Sequence, residues 1–478
     1  MTDLLLVNPP QGDAIYQGLH AHGLTACEPP VWCRLIAGHI RDRGWTVEII
    51  DAEALGLSPE DVANHVDRTQ PRLTVIVAHG HQPSASTQTM AGALPITHAI
   101  RNRSLDHKIA ICGAHPTVLP ADTYRQADVN WVILGEGPLT IDALLRGEWS
   151  PPGIWTPYDQ TPPPPLMPME SLHGQAWDLL PMDRYRAHNW QVMDGSPATP
   201  YASIVTTLGC PFKCSFCMIN APFGGSGYRM RRSQDVVDEV RHLHDHYGVN
   251  TFKIADEMFV LNPKHYLQIC SGLARLPFAD ELNIWAYARV DTVKEHTLPV
   301  LRQAGIRWLA LGIESGSKHV RDGADKVFTN DDIVSTVRAI QDADINVIGN
   351  FIYGLSDDTV ESMQETLNLA LDLNCEFTNH YSAMPYPGSR LYSETPHEHL
   401  PSTWAGYSQH SFDTRPLPTA TLSSAEVLRF RDHAFQACFT APRYIDMIGA
   451  KFGESAVQSV YQMIGYKLER KLLIGEAA

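Results

Sequence analysis

No run of apolar residues in the 478-residue chain approaches the roughly 18 that a helix needs to cross a bilayer. The apolar start, M-T-D-L-L-L-V-N-P-P, lacks the basic flank of a signal peptide and reads as a buried first strand. Basic residues are scarce: 37 Lys and Arg stand against 53 Asp and Glu, a formal net charge of −16. That balance argues against nucleic acid as the main partner, because phosphate binding needs a basic face. It suits a solvated surface and would not repel a cationic substrate. Cysteine is sparse as well, with nine in the chain. The expected compartment is the cytoplasm, where disulfide frameworks do not persist. No internal repeat or long low-complexity tract breaks the sequence.

What the chain does have is rhythm. Apolar strands at L-L-L-V-N (4–8), W-T-V-E-I-I-D, L-T-V-I-V-A-H-G (73–80), K-I-A-I-C-G-A-H-P (108–116) and V-N-W-V-I-L-G-E-G (129–137) alternate with helical stretches. One helix opens at Val31 and ends in a glycine stop. Such alternation predicts a parallel sheet covered on both faces, with ligands at the carboxyl ends of its strands. Those ends hold Asn8 to Gln11, Asp51, His79 to Ser86, Gly113 to Thr117 and Gly135 to Gly137. Residues 151–170 are proline-rich, with four consecutive prolines at 162–165, and read as an extended linker.

From Ala202 the rhythm restarts with about six strand–helix units, enough for an open barrel whose site lies at the strand carboxyl ends. The first of these strands, A-S-I-V-T-T, runs into T-L-G-C-P-F-K-C-S-F-C-M. Cys210, Cys214 and Cys217 thus follow a C-x₃-C-x₂-C spacing on a loop. Three thiolates suit three irons of a four-iron cluster and leave one iron open for an outside ligand. Structural zinc, the competing reading, wants four closed ligands, usually in paired C-x₂-C units. Cys270 and Cys375 sit in apolar helical surroundings and read as buried small hydrophobes.

C-P-F-K-C-S-F-C resembles the signature of the radical S-adenosylmethionine (SAM) superfamily. The resemblance implies a [4Fe-4S] cluster on Cys210, Cys214 and Cys217, and SAM bound to the open iron. Reductive cleavage to a 5′-deoxyadenosyl radical would follow, with an electron donor such as flavodoxin or ferredoxin. It also implies SAM contacts at the strand ends: Phe216, Asp256 or Glu257 at the second, Arg289 and Asp291 at the third, Glu314 and Ser315 at the fourth, and Asn350 on the fifth. A guanidinium fork at Arg289 matches a carboxylate. Lys253, Tyr287, His380 and Tyr381 are the candidate general acids and bases of the barrel interior.

The first domain is similar to the cobalamin-binding domain that precedes many radical SAM enzymes, through V-N-P-P, E-P-P-V, G-W-T-V-E-I-I-D-A, C-G-A-H-P-T and I-L-G-E-G-P. The resemblance implies a corrinoid over the strand ends. No D-x-H-x-x-G nominates a lower cobalt ligand, and Trp32, Arg34 and Cys112-Gly113 put bulk where the family keeps small residues. That bulk tilts the expectation toward a SAM-only enzyme and leaves cobalamin open.

The expected architecture is α/β. It comprises a doubly wound parallel sheet of the B12-binding type (1–150), a proline-rich linker (151–199), a partial (β/α)6 barrel (200–400) and a mostly helical C-terminal region (401–478). In that last region Ser423 and Glu426 form a capping box, and Trp404, Tyr407, Gln409, His410 and Asp413 are expected along the substrate pocket. The leading functional expectation is radical dehydration of an amino-sugar-like diol in antibiotic or other natural-product biosynthesis, on a small-molecule substrate, with neither nucleic acid nor membrane as partner. The alternatives are a cobalamin-dependent C-methyltransferase and a non-catalytic metal-binding protein. An RNA-modifying methylthiotransferase is disfavoured by the acidic balance and by the lack of a further cysteine set.

Overall fold

The structure is a computed structural model that describes residues 2–80 and 82–474; His81, in the third strand-end loop, lies outside the described residues. Two parallel sheets organise it. The first holds β1 (Leu4–Asn8), β2 (Val47–Asp51), β3 (Leu73–Val77), β4 (Ile109–Cys112), β5 (Trp131–Ile133) and β6 (Ile154–Trp155), in the order β2-β1-β3-β4-β5-β6. Only β6 runs antiparallel, and it comes from the proline-rich segment. Near-continuous Val, Ile and Leu in these strands follow from burial on both faces by helices. The order reverses between β1 and β3, and in open α/β sheets that switch point is where ligands lie.

The second sheet is built from β7 (Tyr201–Ile204), then, after a two-stranded ribbon of β8 (Thr207–Leu208) and β9 (Arg229–Met230), from β10 (Thr251–Ile254), β11 (Asn283–Ala288), β12 (Ile306–Glu314), β13 (Asn346–Tyr353) and β14 (Phe377–Ser382). All six are parallel and stand in chain order from β7 to β14, which is the open, partial barrel expected. The C-terminal helix Ser424–Thr440 starts at the Ser423/Glu426 capping box and packs on β14. Helices Pro442–Phe452 and Glu454–Gly465 close an aromatic cluster with Trp190, Trp285, Trp308 and Phe377. No helix of the described residues is long and apolar enough to cross a membrane.

Segment 151–199 does more than connect. Met167, Met169 and Leu172 are buried with Leu35, Val205 and Leu208, and Trp177 and Tyr185 enter the main core. The seam between the two sheets also carries a buried charge network. Arg34 donates to Glu239 (2.8 Å) and to the Gly174 and Ser203 carbonyls, and its guanidinium lies over the Trp177 ring. Arg231 donates to the other Glu239 oxygen (2.6 Å) and the Trp177 indole to the first (2.9 Å). Burial opposes the Glu239 charge, but Arg231 and Arg34 prevail and hold its carboxyl below the ordinary value. Arg34 therefore braces the seam and adds no bulk at the strand ends, contrary to the sequence expectation.

Candidate functional site

The cysteine loop leaves β8 through Gly209, whose φ of 87° and close approach to the Gly227 carbonyl (2.8 Å from a Cβ built there) exclude a side chain. Asn220, which sequence reading passed over, staples the loop. It accepts from the Cys210 N–H (3.2 Å) and donates to the Phe212 carbonyl (3.0 Å). The Cys217 N–H closes a turn onto the Cys214 carbonyl, and the Ser215 carbonyl accepts from Leu391 N–H beyond β14. Phe216 packs against Ile352, Leu355 and Ala383, which anchors the loop to the ends of β13 and β14. All nine cysteines are free thiols.

The three sulfurs differ in setting. Cys210 is buried, Cys214 half-buried and Cys217 exposed. Burial, with Cys214 and Glu257 nearby, pushes the Cys210 thiol up to about 11. A bound metal is then what would hold it as the thiolate that ligation needs. No three His, Cys, Asp or Glu side chains among the described residues are grouped tightly enough to hold one metal ion. A cluster that spreads its thiolates over three irons is the group such an open loop suits. Arg289 reaches this loop: its Nη1 lies 3.6 Å from the Cys214 sulfur, its guanidinium sits 3.8 Å over the Phe212 ring, and Asp291 grips it at 2.9 and 3.1 Å.

Asp256 and Glu257 are neighbours with opposite commitments. Asp256 is buried and accepts from the Thr206 N–H and from both the Thr206 and Thr207 hydroxyls, so its oxygens are consumed in fixing the β7 end. Glu257 accepts the Gly209 N–H (3.1 Å) and makes no ion pair within 4 Å among the described residues. Burial, aided by Asp256, pushes its carboxyl up to about 7. A half-buried carboxylate short of a counter-ion beside the cysteine loop fits the ammonium of SAM. Glu314 sits in a left-handed backbone (φ 67°) and is ion-paired with Lys326 at 2.7 Å, both side chains buried. Ser315 is spent internally, on Thr366 and the Ser317 N–H.

The barrel interior opens into a cavity of about 700 Å³. Lys253, Tyr287, Asn350, His380 and Tyr381 all line it, together with Asn379, which donates to Asn350 (2.9 Å). Lys253 is buried and ion-paired with Glu28 (2.9 Å). Glu28 comes from the first domain and also accepts from Ser203 (3.0 Å). Glu28 was not singled out from sequence; a lone acidic residue in E-P-P carries no signal of a partner 225 positions away. His380 has both ring nitrogens engaged, Nδ1 with the Tyr353 hydroxyl and Nε2 with Thr378, each at 3.1 Å, and burial pushes it down to about 3. It is a packed neutral ring that holds β14 to β13. Of the C-terminal loop residues, Gln409 and His410 line the cavity. Trp404, Tyr407 and Asp413 do not: Trp404 packs on His115, Tyr407 lies beside Trp404, and Asp413 pairs with Lys471.

The same cavity reaches the first sheet at its switch point, where Gln11 follows β1 and Gln82, Ser84 and Gln88 follow β3. The amide side chains there suit a ligand rich in amides, as a corrinoid is, and the opening lies where the fold binds ligands. Trp32 stacks on His79 at 4.3 Å and does not line the cavity, so its bulk leaves this opening clear. At the neighbouring ends His115 is covered by Trp404 (4.5 Å), while Gly135–Gly137 border a separate cavity of about 250 Å³ that Pro163–Pro165 and Phe223 also line. His79 and His115, each pushed down to about 3 by burial, are neutral, and neither lines the cavity.

The Radical SAM superfamily model matches residues 204–370, and the B12 binding domain model matches residues 22–145. An uncharacterised methyltransferase of Pyrococcus horikoshii is 28% identical over 81% of this chain and 82% of its own. An anaerobic magnesium-protoporphyrin IX monomethyl ester cyclase of Cereibacter sphaeroides is 24% identical over 87% of this chain and 68% of its own. Among solved structures, the radical SAM methyltransferase TsrM of Kitasatospora setae, with cobalamin and a [4Fe-4S] cluster bound, aligns with a TM-score of 0.63 at 18% identity. The alignment covers 87% of this chain and 82% of that one. The chain thus carries a domain of the Radical SAM superfamily behind a B12 binding domain, and the cofactors of that superfamily are a [4Fe-4S] cluster and SAM.

Proposed function

We propose that this chain is a cobalamin-dependent radical SAM methyltransferase acting at a carbon of a small molecule. One observation carries the reading: a single cavity joins the switch point of the first sheet to the interior of the barrel. The relatives named as methyltransferases support it over the dehydration expected from sequence. So does the position of Trp32 and Arg34, neither of which fills that cavity.

Within this reading Cys210, Cys214 and Cys217 hold the cluster. Glu257 receives the SAM ammonium and Arg289, steadied by Asp291, its carboxylate. Phe216 and Asp256 shape and fix the loop and strand end around them, and Glu314 and Ser315 set the turn after β12. Bound cluster and SAM supply a strong one-electron oxidant of C–H bonds, and a bound corrinoid supplies a carrier for the methyl group. Gln11, Gln82 and Gln88 would meet the corrinoid amides. Asn350, Tyr287 and Tyr381 face the substrate space. Burial beside Tyr381 and Glu28 keeps the Tyr287 hydroxyl protonated and available as a hydrogen-bond donor. Lys253 is ion-paired with Glu28 and serves position more than proton transfer. A one-electron donor such as a flavodoxin or ferredoxin and a natural-product substrate complete the reading.

A second reading, SAM-only radical chemistry, is favoured by the covered end of β4, where Trp404 occupies the approach to His115. One experiment separates the two. Reconstituted enzyme is supplied with trideuteromethyl-labelled SAM, reductant and hydroxocobalamin, and a library of polar metabolites is screened by mass. Label in a product that appears only with the corrinoid supports methyl transfer. Loss of water from a substrate without the corrinoid supports the second reading and overturns the first.

A further inference from the structure

The chain carries a net charge of −16, yet its cavity carries the opposite sign. Lys253, Arg431, Lys467 and Arg470 line it against two carboxylates, Glu28 and Asp432. Both carboxylates are committed. Glu28 is held by Lys253 and Ser203. Asp432 lies between Arg431 (2.7 Å) and Arg470 (3.2 Å).

The cations are less fully used. Arg470 is buried and its fork is spent on Asp432 and on the Gln409 and Ser411 carbonyls. Arg431 donates through Nε to the His380 carbonyl (2.7 Å) and through Nη1 to Asp432. Its Nη2 has no partner among the described residues, and neither has the Lys467 ammonium at the rim. His410 beside them adds no charge, since burial, Arg431 and Arg470 push it down to about 3. Three cations thus face one carboxylate on the wall contributed by the C-terminal segment.

We propose that this wall anchors an oxyanion of the substrate, a carboxylate or phosphoryl group, with Arg431 as the specificity-determining contact and Lys467 at the entrance. A guanidinium held through Nε by the His380 carbonyl and through Nη1 by Asp432, with Nη2 left over, is already oriented, so little side-chain freedom is lost when an oxyanion docks. Enclosure by the cavity strengthens the pairing relative to an exposed one. A polycationic amino sugar would meet like charge here. The inference rests on the reading that this cavity is where a small molecule is processed.

The test is calorimetry on reconstituted full-length enzyme at constant ionic strength, with inorganic pyrophosphate, citrate and spermidine as probes. At least one anion is expected to bind. Arg431→Gln should weaken it by about tenfold or more and Arg431→Lys by less, as a charge-assisted hydrogen bond from Nη2 predicts. Because Arg431 also braces His380, Lys467→Glu serves as the variant that leaves the fold alone; it should weaken the same anion several-fold. The tighter of the two anions identifies the oxyanion. Binding of spermidine without either anion would overturn the proposal. So would anion binding that neither variant alters, or displacement of the anion by hydroxocobalamin, which would assign the wall to the corrinoid phosphate. 5′-Deoxyadenosine measured on the same samples reports the radical reading separately: anion binding without SAM cleavage sinks that reading and leaves this one standing.

Discussion

Each sheet has six strands, all parallel in the second and all but β6 parallel in the first, but the two treat their carboxyl ends differently. In the first, rings pack over part of the edge: Trp32 on His79 and Trp404 on His115, with a cavity of about 250 Å³ left at Gly135–Gly137. The cavity shared with the barrel opens between β1 and β3. In the second, the ends carry polar groups around one loop: three thiols, the Glu257 carboxylate and the Arg289 guanidinium that Asp291 holds against Cys214. Its interior stays hollow. The contrast teaches that a shared topology fixes where a ligand can sit, while loop side chains decide which of those places remains open.

The comparison breaks most completely at the cysteine loop. Cys214→Ala should bring iron and sulfide content far below that of the parent and 5′-deoxyadenosine formation to background, because no fourth cysteine lies on the loop to substitute. Retained activity would mean that the loop is not the cluster site.

The next largest effect lies where the sheets meet. Lys253→Met takes the ammonium from buried Glu28, leaving it Ser203 and the more distant His188 (3.6 Å), and should destabilise the protein by about 3 kcal/mol, read from urea unfolding. Adding Glu28→Gln should recover part of that loss, because the orphaned charge is then gone. Equal instability of single and double variants would show that the pair is not coupled.

Glu257 sharpens the contrast between a strained site and a sealed edge. Its carboxyl is raised in the folded protein, from an ordinary 4.5 to about 7. Such a group favours folding fully below its ordinary value, and that contribution is lost as pH rises through 7. Glu257→Gln should therefore raise the melting temperature of SAM-free protein near pH 8, by the equivalent of roughly 1–2 kcal/mol, with the gain fading toward pH 4. The same variant should weaken SAM binding about tenfold. A variant that binds SAM normally would remove Glu257 from the ammonium site.

The smallest effect is expected at the sealed edge. Trp404→Ala removes a ring that covers His115 and bonds Gln126, at a cost of roughly 1–2 kcal/mol, with SAM cleavage unchanged. If it also raised corrinoid uptake, the seal would be regulating access rather than only packing.

The architecture was legible because its signals are local. Strand–helix alternation, the C-x₃-C-x₂-C loop and the Ser423/Glu426 capping box are each written within a few residues, and each has its structural counterpart. What was not legible depends on pairs distant in the chain. Arg34 reads as bulk near a strand end until Glu239 is seen to hold it at the seam. Asp256 and Glu257 are equivalent in sequence, and only Thr206 and Thr207 separate their roles. Glu28 and Asn220 carried no motif. The acidic total would not repel a cationic substrate, but total charge describes the surface, and the cavity wall has its own balance.

The most direct test of the central claim, that the open switch point takes a corrinoid, is its stoichiometry. Anaerobically reconstituted protein would be incubated with hydroxocobalamin and desalted, and its absorption spectrum recorded before and after addition of SAM and dithionite. The account predicts corrinoid retained near one per chain, with 5′-deoxyadenosine formed. Cluster absorbance and 5′-deoxyadenosine without retained corrinoid would contradict it and leave SAM as the sole source of the chemistry.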